Sequence, residues 1–364
     1  MQAVCAVSGA VRPCANASAG RRAVARAALR AAPVQRRAAA RGAVRVLAQA
    51  AATSSVDVAE LNSKFGTNGV EVKAGRGGLP TVHLKSAAGA AVEIALFGGC
   101  VTSWKTAEGR EVLYIRPDAV FDKSKPISGG IPHCFPQFGP GAIQLHGFAR
   151  NVDWSLAASK NDGGNPAISL LLTDTDYTRA MWPHSFKAVY TVRLEGETLH
   201  TLLEVTNTGD SEFDFTASLH SYFGIDDIET ANVRGLQGLE YLDRVADAKH
   251  PSVHKELREL VTFRGPVDSV YKSAPSKVTL DTRSGDVAIA SNGWPEVVVW
   301  TPWTAMEACY REFVCVENAQ ATSAVKLAPG QSWAATTAMA FTTDPLVEFC
   351  AGNPDDPECR VYDD

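Results

Sequence analysis

The sequence predicts an all-β fold in the form of a large antiparallel β-sandwich. From Val70 onward, short segments alternate apolar and polar residues and end at Gly, Pro, Asn or Asp, as half-buried strands do. About fifteen such segments follow one another without the strand–helix–strand rhythm of a parallel sheet. One large two-sheet sandwich accommodates this number better than two independent domains.

The strands are predicted in chain order from this alternation and from the turn residues between segments. Residues 207–210, which read NTGD, give the strongest turn signal because Asn, Gly and Asp tolerate the backbone angles of tight turns. Helical patterns are scarce, and a turn or two is expected near 180–184 or 254–260. The segments predicted as strands are 82–85, 92–97, 101–105, 111–115, 168–173, 186–194, 199–206, 212–220, 277–280, 287–290, 297–300, 313–316 and 334–342.

The first fifty residues differ from the rest of the chain. They hold nine Arg but no Lys, Asp or Glu, and Ala dominates them. This is the composition of an organelle transit peptide, without the continuous apolar core of a secretory signal. A basic arm that binds nucleic acid is the alternative. We expect a transit peptide over 1–51, a linker or ordered arm over 52–69, the sandwich domain over 70–345 and a C-terminal tail over 346–364.

The charge of the chain excludes some classes of partner. The full chain carries a net charge of −5, and without the nine leader arginines it carries about −14. An acidic protein is a poor general binder of nucleic acid or of a membrane surface, so an anionic ligand requires a local basic site. No run approaches the roughly 20 apolar residues of a membrane span. We therefore expect neither nucleic acid nor membrane as a partner.

Six cysteines lie beyond the leader, and they form neither a C-x-x-C pair nor a zinc-type spacing with histidine. Most are expected to be reduced and buried as small apolar residues. Cys350 and Cys359 flank a segment rich in Gly, Asn, Pro and Asp, and these two residues could close a redox-sensitive loop.

Residues 125–154 form the most informative stretch, KPISGGIPHCFPQFGPGAIQLHGFARNVDW. It is too rich in Gly and Pro for a helix or a central strand, yet its interleaved Ile and Phe distinguish it from a solvated linker. An ordered, partly buried loop of this length is more often functional than not, so we interpret it as a wall of a ligand pocket. Its few polar residues include His133, Gln137, Gln144, His146, Arg150 and Asn151.

Two strand ends offer groups for proton transfer. Alternation in EFDFTASLH (212–220) places His220 on the face opposite the Phe, Ala and Leu side chains, and Glu317 in FVCVEN (313–318) lies opposite the two valines in the same way. A surface or core histidine and an edge-strand charge are the alternatives. If the two groups share a cleft, they could act as general acid and base.

Lys123, Lys125, His146 and Arg150 form the most concentrated cationic group, and Arg can hold a carboxylate or phosphate by a two-point fork. The segment VVVWTPW (297–303) could stack on a sugar, although large aromatic residues more often belong to a core. The chain has no Walker loop, no G-x-G-x-x-G after a strand, no HExxH and no GxSxG. Cofactor-free chemistry, or none, is therefore expected.

The segment GGIPHCFPQFGPGAIQLHGFARNVDW resembles the signature of hexose-6-phosphate mutarotases, the glucose-6-phosphate 1-epimerases of the aldose 1-epimerase (galactose mutarotase-like) superfamily. SGGIPHCFPQFGPG with HGFARN is most similar to the plant and algal branch, which includes proteins named apospory-associated protein C. The resemblance extends through SLHSYFGI, LEYLDR, VVVWTPW and VCVENA, and so covers residues 70–341.

The resemblance implies a galactose mutarotase-like β-sandwich with its site in a concave face. It implies that His220, in SLHSYF, is the general acid that protonates the ring oxygen, and that Glu317, in VCVEN, is the base that takes the proton of the anomeric hydroxyl. It also implies that His146 holds the sugar, that Arg150 is linked to the phosphate end and that Asp243, in YLDR, hydrogen-bonds sugar hydroxyls. Gln137 and Lys125 are further candidate substrate ligands.

One position departs from the resembled family. Fungal and bacterial members read RGGIP, and that Arg is associated with phosphate, whereas this chain has Ser128 there. Lys123 or Lys125 could replace the lost cation, or the preference for a phosphorylated sugar could be weaker.

The implied activity is the interconversion of the α and β anomers of a hexose 6-phosphate. We expect Glu317 to be ionised and His220 protonated, no cofactor, a small sugar phosphate as partner, and a monomer located in the chloroplast, with the mitochondrion as the alternative. A mutarotase of free aldoses and a non-catalytic carbohydrate-binding or regulatory protein on the same scaffold are the other functions considered.

Overall fold

A computed structural model of the chain describes residues 57–345, 349, 350 and 353. The expected leader and most of the expected tail lie outside these residues. Two α-helices lie wholly within them, α1 (Val58–Phe65) and α2 (Asp176–Met181), and no helix among the described residues is long and apolar enough to cross a membrane. Residues 52–69 were expected to hold a linker or an ordered arm, and α1 lies in this segment. It begins at the N-cap Asp57, whose Oδ1 accepts hydrogen bonds from the backbone N–H groups of Ala59 and Glu60.

The strands form one small and two large antiparallel sheets. The small sheet is a four-stranded meander of β1 (Val70–Ala74), β2 (Pro80–Lys85), β3 (Ala91–Ala95) and β4 (Cys100–Lys105).

The eight-stranded sheet carries the candidate site. Its strands are β5 (His133–Cys134), β10 (Phe213–Leu219), β11 (Tyr222–Gly224), β13 (Glu240–Asp243), β14 (Ser252–Lys255), β16 (Val267–Lys272), β19 (Glu296–Thr301) and β20 (Phe313–Leu327). They lie in the order β14-β13-β16-β19-β20-β10-β5, and β11 pairs with β20.

The nine-stranded sheet covers the opposite side of the core. Its strands are β6 (Ser155–Asp162), β7 (Asn165–Thr173), β8 (Phe186–Glu195), β9 (Thr198–Asn207), β12 (Asn232–Arg234), β15 (Leu260–Thr262), β17 (Lys277–Thr282), β18 (Gly285–Asn292) and β21 (Ser332–Thr343). Their order is β15-β12-β17-β18-β21-β9-β8-β7-β6.

The two large sheets pack face to face around one apolar core. The Phe215 ring of β10 lies 5.5 Å from the Trp333 ring of β21, and the Thr337 hydroxyl of β21 donates a hydrogen bond of 3.1 Å to Asn318 Oδ1 of β20. Each large apolar side chain buried there contributes about 1.5–3 kcal/mol to folding. The predicted antiparallel β-sandwich is confirmed, with the four-stranded sheet as an addition.

Some local predictions are wrong. Residues 111–115 form no regular strand, because Glu111, Leu113 and Ile115 each bridge to a different part of the chain. Residues 254–260 contain no helical turn, and the turn expected near 180–184 is the end of α2. The strands between residues 232 and 272 escaped prediction because they are short and several are exposed, which weakens their alternation.

The cysteines follow the prediction where the structure describes them. Cys100, Cys134, Cys309 and Cys315 are free and buried. Cys350 is disulfide-bonded, and its partner lies outside the described residues. A bond between Cys350 and Cys359 therefore stays a prediction.

Candidate active site

Strand alternation on β10 and β20 delivers the two candidate proton-transfer groups to one side of the sheet. Phe213, Phe215, Ala217 and Leu219 of β10 and Val314 and Val316 of β20 belong to the core, as the alternation predicted. The side chains between them point away from the core. β10 and β20 pair with Leu219 opposite Asn318, so His220, which directly follows β10, and Glu317 lie next to each other.

Both groups line a cavity of about 530 Å³. Residues of the 125–150 loop also line it, so this loop is a wall of the pocket, as predicted. The cavity holds an excess of cations in an acidic chain, and this excess favours an anionic ligand. Its other charged residues are Arg116, Lys125, Arg150, Arg244 and Asp268, and its large aromatic residues include Tyr222 and Trp300.

Glu317 and His220 are in direct contact. His220 Nδ1 lies 3.2 Å from Glu317 Oε1, although the two atoms are not aligned for a hydrogen bond. The Ser218 hydroxyl donates a hydrogen bond of 2.7 Å to Glu317 Oε2 and so fixes the carboxyl group. The Tyr222 ring stacks on the His220 imidazole with 4.8 Å between centroids, and the edge of Trp300 closes another side. Packing and one hydrogen bond therefore orient the pair.

Burial shifts both groups toward their neutral forms. Removal from water raises the pKa of Glu317 to about 8, a shift that the Ser218 hydrogen bond and two arginines oppose. Burial, together with the neighbouring His146 and the charge of Arg150, lowers the pKa of His220 well below its ordinary value. These shifts run against the expectation of an ionised Glu317 and a protonated His220, because burial disfavours the charged form of both groups.

His146 is held as a hydrogen-bond donor toward the cavity. Its Nδ1 accepts a hydrogen bond of 3.1 Å from the Gly139 N–H and lies 3.0 Å from Cys134 Sγ. Burial and the neighbouring arginines lower the pKa of His146 to about 3, so the ring is neutral and its remaining proton is on Nε2. Gly147 allows the turn that follows, because a Cβ there would lie 2.1 Å from the Phe135 carbonyl oxygen.

Two predicted substrate ligands lie elsewhere. The Gln137 amide is used within its own loop, where Nε2 donates to the carbonyls of Gly139, Ile143 and Gln144 and Oε1 accepts from the Ile143 N–H. Asp243 does not line the cavity, and its Oδ1 accepts a hydrogen bond from the Val245 N–H. Since side chains alternate along β13, the neighbouring Arg244 lines the cavity instead.

Lys123 does not line the cavity either. Its Nζ pairs with Asp153 at 2.6 Å, so it does not replace the cation missing at Ser128. Lys125, Arg150 and His146 do line the cavity together with the catalytic candidates. Arg150 is anchored by a hydrogen bond of 3.0 Å from Nη2 to the Leu145 carbonyl.

Sequence reasoning missed Arg116, Arg244 and Asp268, which all line the cavity. Asp268 lies on β16 opposite Trp300 of β19, a pairing between distant segments that no local pattern reveals. Arg116 follows a segment wrongly predicted as a strand. Arg244 directly follows a residue that was selected, so the alternation of β13 was the available signal.

Two other cavities have similar volumes of about 520 and 530 Å³, but neither buries an acid–base pair. The first has no carboxylate among its lining residues. The second contains His83 and Glu93, 3.6 Å apart, with side chains 29% and 23% exposed. His220 and Glu317 are only 9% and 2% exposed. The candidate site therefore differs from these surface clefts because its acid–base pair is removed from water.

Comparisons with known proteins agree with this geometry. A family model described as "Aldose 1-epimerase" matches residues 80–340, a range that contains both Glu317 and His220. A second, described as "CP12 domain", matches residues 331–363, which overlap β21 and run past the described residues.

A Cenchrus ciliaris protein named "Putative glucose-6-phosphate 1-epimerase" is 36% identical over 300 residues, which are 76% of this chain and 88% of that protein. An Escherichia coli protein of the same name is 34% identical over 64% of this chain and 81% of its own length. The crystal structure of a Salmonella typhimurium protein, named as a "putative mutarotase", superposes with a TM-score of 0.68 at 26% identity over 76% of this chain and 95% of that one. This chain belongs to the aldose 1-epimerase family.

Proposed function

We propose that this protein interconverts the α and β anomers of a hexose 6-phosphate, with glucose 6-phosphate as the expected substrate. The observation that carries the proposal is the buried contact between Glu317 and His220 in a cavity rich in cations. An acid and a base in one cleft suit the opening of a hemiacetal, and the cations suit a phosphorylated sugar. The names of the relatives favour the same substrate.

Ring opening requires two proton transfers. The Glu317 carboxylate takes the proton of O1 while the His220 imidazolium gives a proton to the ring oxygen. The bond between C1 and the ring oxygen breaks as the C1–O1 double bond forms. The aldehyde then rotates about C1–C2 and closes on its other face, with the two residues in reversed roles.

The pair carries one titratable proton throughout this cycle. It begins as carboxylate and imidazolium and ends as carboxylic acid and neutral imidazole, so opening changes the position of the proton but not the net charge of the pair. Burial of Glu317 and His220 favours the neutral arrangement. The neutral pair, a carboxylic acid on Glu317 and a neutral imidazole on His220, is the state present with the open-chain sugar. From this state the two residues can catalyse ring closure.

Surrounding residues orient the substrate and the base. Neutral His146 offers its Nε2–H to a sugar oxygen. Ser218 keeps Oε2 of Glu317 engaged, which leaves Oε1, the oxygen beside His220, to take the proton of O1. Trp300 provides an aromatic wall on which the apolar face of a sugar can stack, while the Tyr222 ring supports the His220 imidazole.

The proposal includes location and assembly. We propose a chloroplast protein that works as a monomer on a small sugar phosphate, and the composition of the leader supports the location. The test of location is the site at which a fluorescent fusion of the full chain accumulates, with a fusion that lacks residues 1–51 as control.

Exchange NMR of the anomeric protons tests the activity. Addition of the full chain to glucose 6-phosphate is expected to accelerate exchange, and a Glu317→Gln chain is expected not to do so. Parallel samples contain free glucose or galactose, because Ser128 favours the alternative of a free-aldose mutarotase. Exchange confined to the free sugars would move the substrate to that class. No exchange on any sugar, from a folded protein, would leave a non-catalytic carbohydrate-binding protein.

A further inference from the structure

We propose that Arg116 binds the phosphate of the substrate and replaces the arginine that is absent at Ser128. The inference rests on the proposed function, since it assigns the residue that selects the phosphorylated sugar. The RGGIP arginine of the resembled family lies at the position of Ser128, and Arg116 is its neighbour across the backbone.

The backbone places the two positions side by side. The Arg116 N–H donates a hydrogen bond of 3.0 Å to the Ser128 carbonyl, and Ile115 and Gly129 form an antiparallel bridge next to it. Both Arg116 and Ser128 line the cavity. A cationic side chain at position 116 or at position 128 can therefore reach the same corner of the cavity.

The Arg116 guanidinium is already oriented. Its Nε and Nη2 donate hydrogen bonds of 2.9 and 2.6 Å to the two carboxylate oxygens of Asp118. These bonds do not use Nη1. The Arg116 side chain is 17% exposed, whereas that of Asp118 is 62% exposed, so the acid holds the arginine from the solvent side. A guanidinium fixed in this way loses little freedom when it binds a phosphate.

The chemistry of the sugar predicts where the phosphate lies. In a pyranose, O1 is on C1, the ring oxygen joins C1 to C5, and the phosphorylated C6 is attached to C5. If Glu317 faces O1 and His220 faces the ring oxygen, the phosphate extends past His220, away from Glu317.

Arg116 lies on this side of the pair. The Tyr114 N–H donates a hydrogen bond of 3.0 Å to the Tyr222 carbonyl, and the Tyr222 ring stacks on His220. The segment that carries Arg116 is thus bonded to the residue that supports His220, and the charge of Arg116 acts on both His220 and Tyr222. This segment therefore approaches from the His220 end of the cavity.

The other cations near the loop fit this role less well. Lys123 pairs with Asp153 outside the cavity, and Lys125 lines the cavity but lacks the planar fork that matches a phosphate. Arg150 donates one guanidinium hydrogen bond to the Leu145 carbonyl, and Arg116 donates two to Asp118, so both arginines keep free N–H groups. Arg116 is distinguished by its place beside Ser128, and its Nη1 together with the second N–H of Nη2 forms the fork that is left for a phosphate.

Binding of the phosphosugar tests the inference without reliance on catalysis. Glucose 6-phosphate is titrated into the full chain carrying Glu317→Gln, and the ³¹P shift reports the dissociation constant. Addition of Arg116→Gln is expected to raise that constant roughly 10–100-fold, the usual effect of removing a charged hydrogen bond. Addition of Lys123→Gln is the matched control and is expected to change it less than about twofold. Arg116→Lys is expected to fall between them.

Relocation of the cation gives the sharper test. In the Arg116→Ser background, Ser128→Arg is expected to restore most of the lost affinity, because the new arginine enters the same corner from the opposite segment. Affinity for free glucose is expected to stay unchanged in every variant, which separates phosphate recognition from a general loss of the site. Equal affinity of the Arg116→Gln and unsubstituted chains, or an equal loss for free glucose, would overturn the inference.

The outcomes of the two tests are distinguishable. Phosphosugar binding that depends on Arg116, without acceleration of anomer exchange, would refute the proposed function and keep the inference. Accelerated exchange of the phosphosugar by an Arg116→Gln chain with normal KM would support the proposed function and overturn the inference. Absence of phosphosugar binding by the chain with Arg116 intact would also overturn the inference. Thermal unfolding of each variant checks that the fold is retained.

Discussion

The Glu317–His220 pair and the cationic rim of the cavity are held in different ways. His220 and Glu317 lie at the end of β10 and within β20, two neighbouring strands that pair in the eight-stranded sheet with Leu219 opposite Asn318. Arg116, Lys125 and Arg150 lie on connections outside any strand. The rim is fixed by local contacts, such as the pair with Asp118 and the loop bonds of Gln137.

This difference separates the chemistry from the choice of substrate. Proton transfer needs groups placed to within a fraction of an ångström, and a hydrogen-bonded sheet provides that rigidity. Loops tolerate substitution and can move a cation from one segment to another without disturbing the sheet. Arg116, whose backbone N–H bonds to the Ser128 carbonyl, is a cation on such a connection. Substitutions in the centre should therefore reduce turnover on all sugars, whereas substitutions in the rim should change which sugar is used.

Removal of either member of the pair is expected to have the largest effect. Glu317→Gln and His220→Ala should each lower kcat by about 10²–10⁴-fold, the usual contribution of one positioned acid or base. The loss should be similar for phosphorylated and free sugars, because the rim is intact. Exchange NMR measures the rates, and the temperature of thermal unfolding shows whether the fold is kept. Near-normal turnover by either folded variant would refute the assignment.

The pH dependence of the reaction is the next expected effect. The pair must carry one proton, and burial raises the pKa of Glu317 to about 8, so the proton is present below that pH and lost above it. We expect kcat/KM to be steady near neutral pH and to fall about tenfold per pH unit on the alkaline side. A second proton on the pair should lower activity only in acid, because the pKa of His220 is depressed.

The measurement is kcat/KM between about pH 5 and about pH 10, corrected for spontaneous anomer exchange in buffer. The Arg116→Gln chain serves as the matched control. Loss of a rim cation should raise KM, but kcat/KM should still fall at alkaline pH. A profile without any alkaline fall would show that the buried pair is not the group that titrates.

A smaller effect is expected at Ser218, which touches the base but not the rim. Ser218→Ala removes the hydrogen bond to Glu317 Oε2, and this bond lowers the pKa of the carboxyl group. The alkaline fall should therefore move to higher pH, and kcat should decrease roughly tenfold because the carboxyl group loses its orientation. Ser169→Ala, on the nine-stranded sheet, is a remote serine control. An unchanged profile for Ser218→Ala would mean that packing alone orients the base.

Residues on strands were predictable, and the reason is local geometry. His220 and Glu317 each continue a two-residue alternation whose apolar members are in the core, so their side could be predicted before the structure was known. The same rule would have replaced Asp243 by Arg244 if the edges of β13 had been recognised. The family resemblance was needed to assign roles, because alternation indicates a face but no chemistry.

Residues that depend on pairings between distant segments were not predictable. Asp268 reaches the cavity because β16 pairs with β19, and Arg116 because its segment lies against Ser128. Gln137 looked like a ligand because it is polar within a functional loop, yet the Gly- and Pro-rich backbone around it needs its amide for hydrogen bonds. Composition cannot tell a side chain that serves a ligand from one that serves its own loop.

Two aspartates on neighbouring strands give the smallest expected effect, because one lines the cavity and the other does not. Asp268 lines the cavity, and its charge raises the pKa of Glu317, whereas Asp243 is turned away and accepts a hydrogen bond from Val245. Asp268→Asn should therefore shift the alkaline fall to lower pH and reduce kcat/KM by up to about tenfold, while Asp243→Asn should stay within about twofold of the unsubstituted chain. Exchange NMR at several pH values measures both variants. The opposite ranking would mean that β13 turns its carboxylate toward the sugar when the substrate binds, and that the centre is less rigid than its hydrogen-bonded strands suggest.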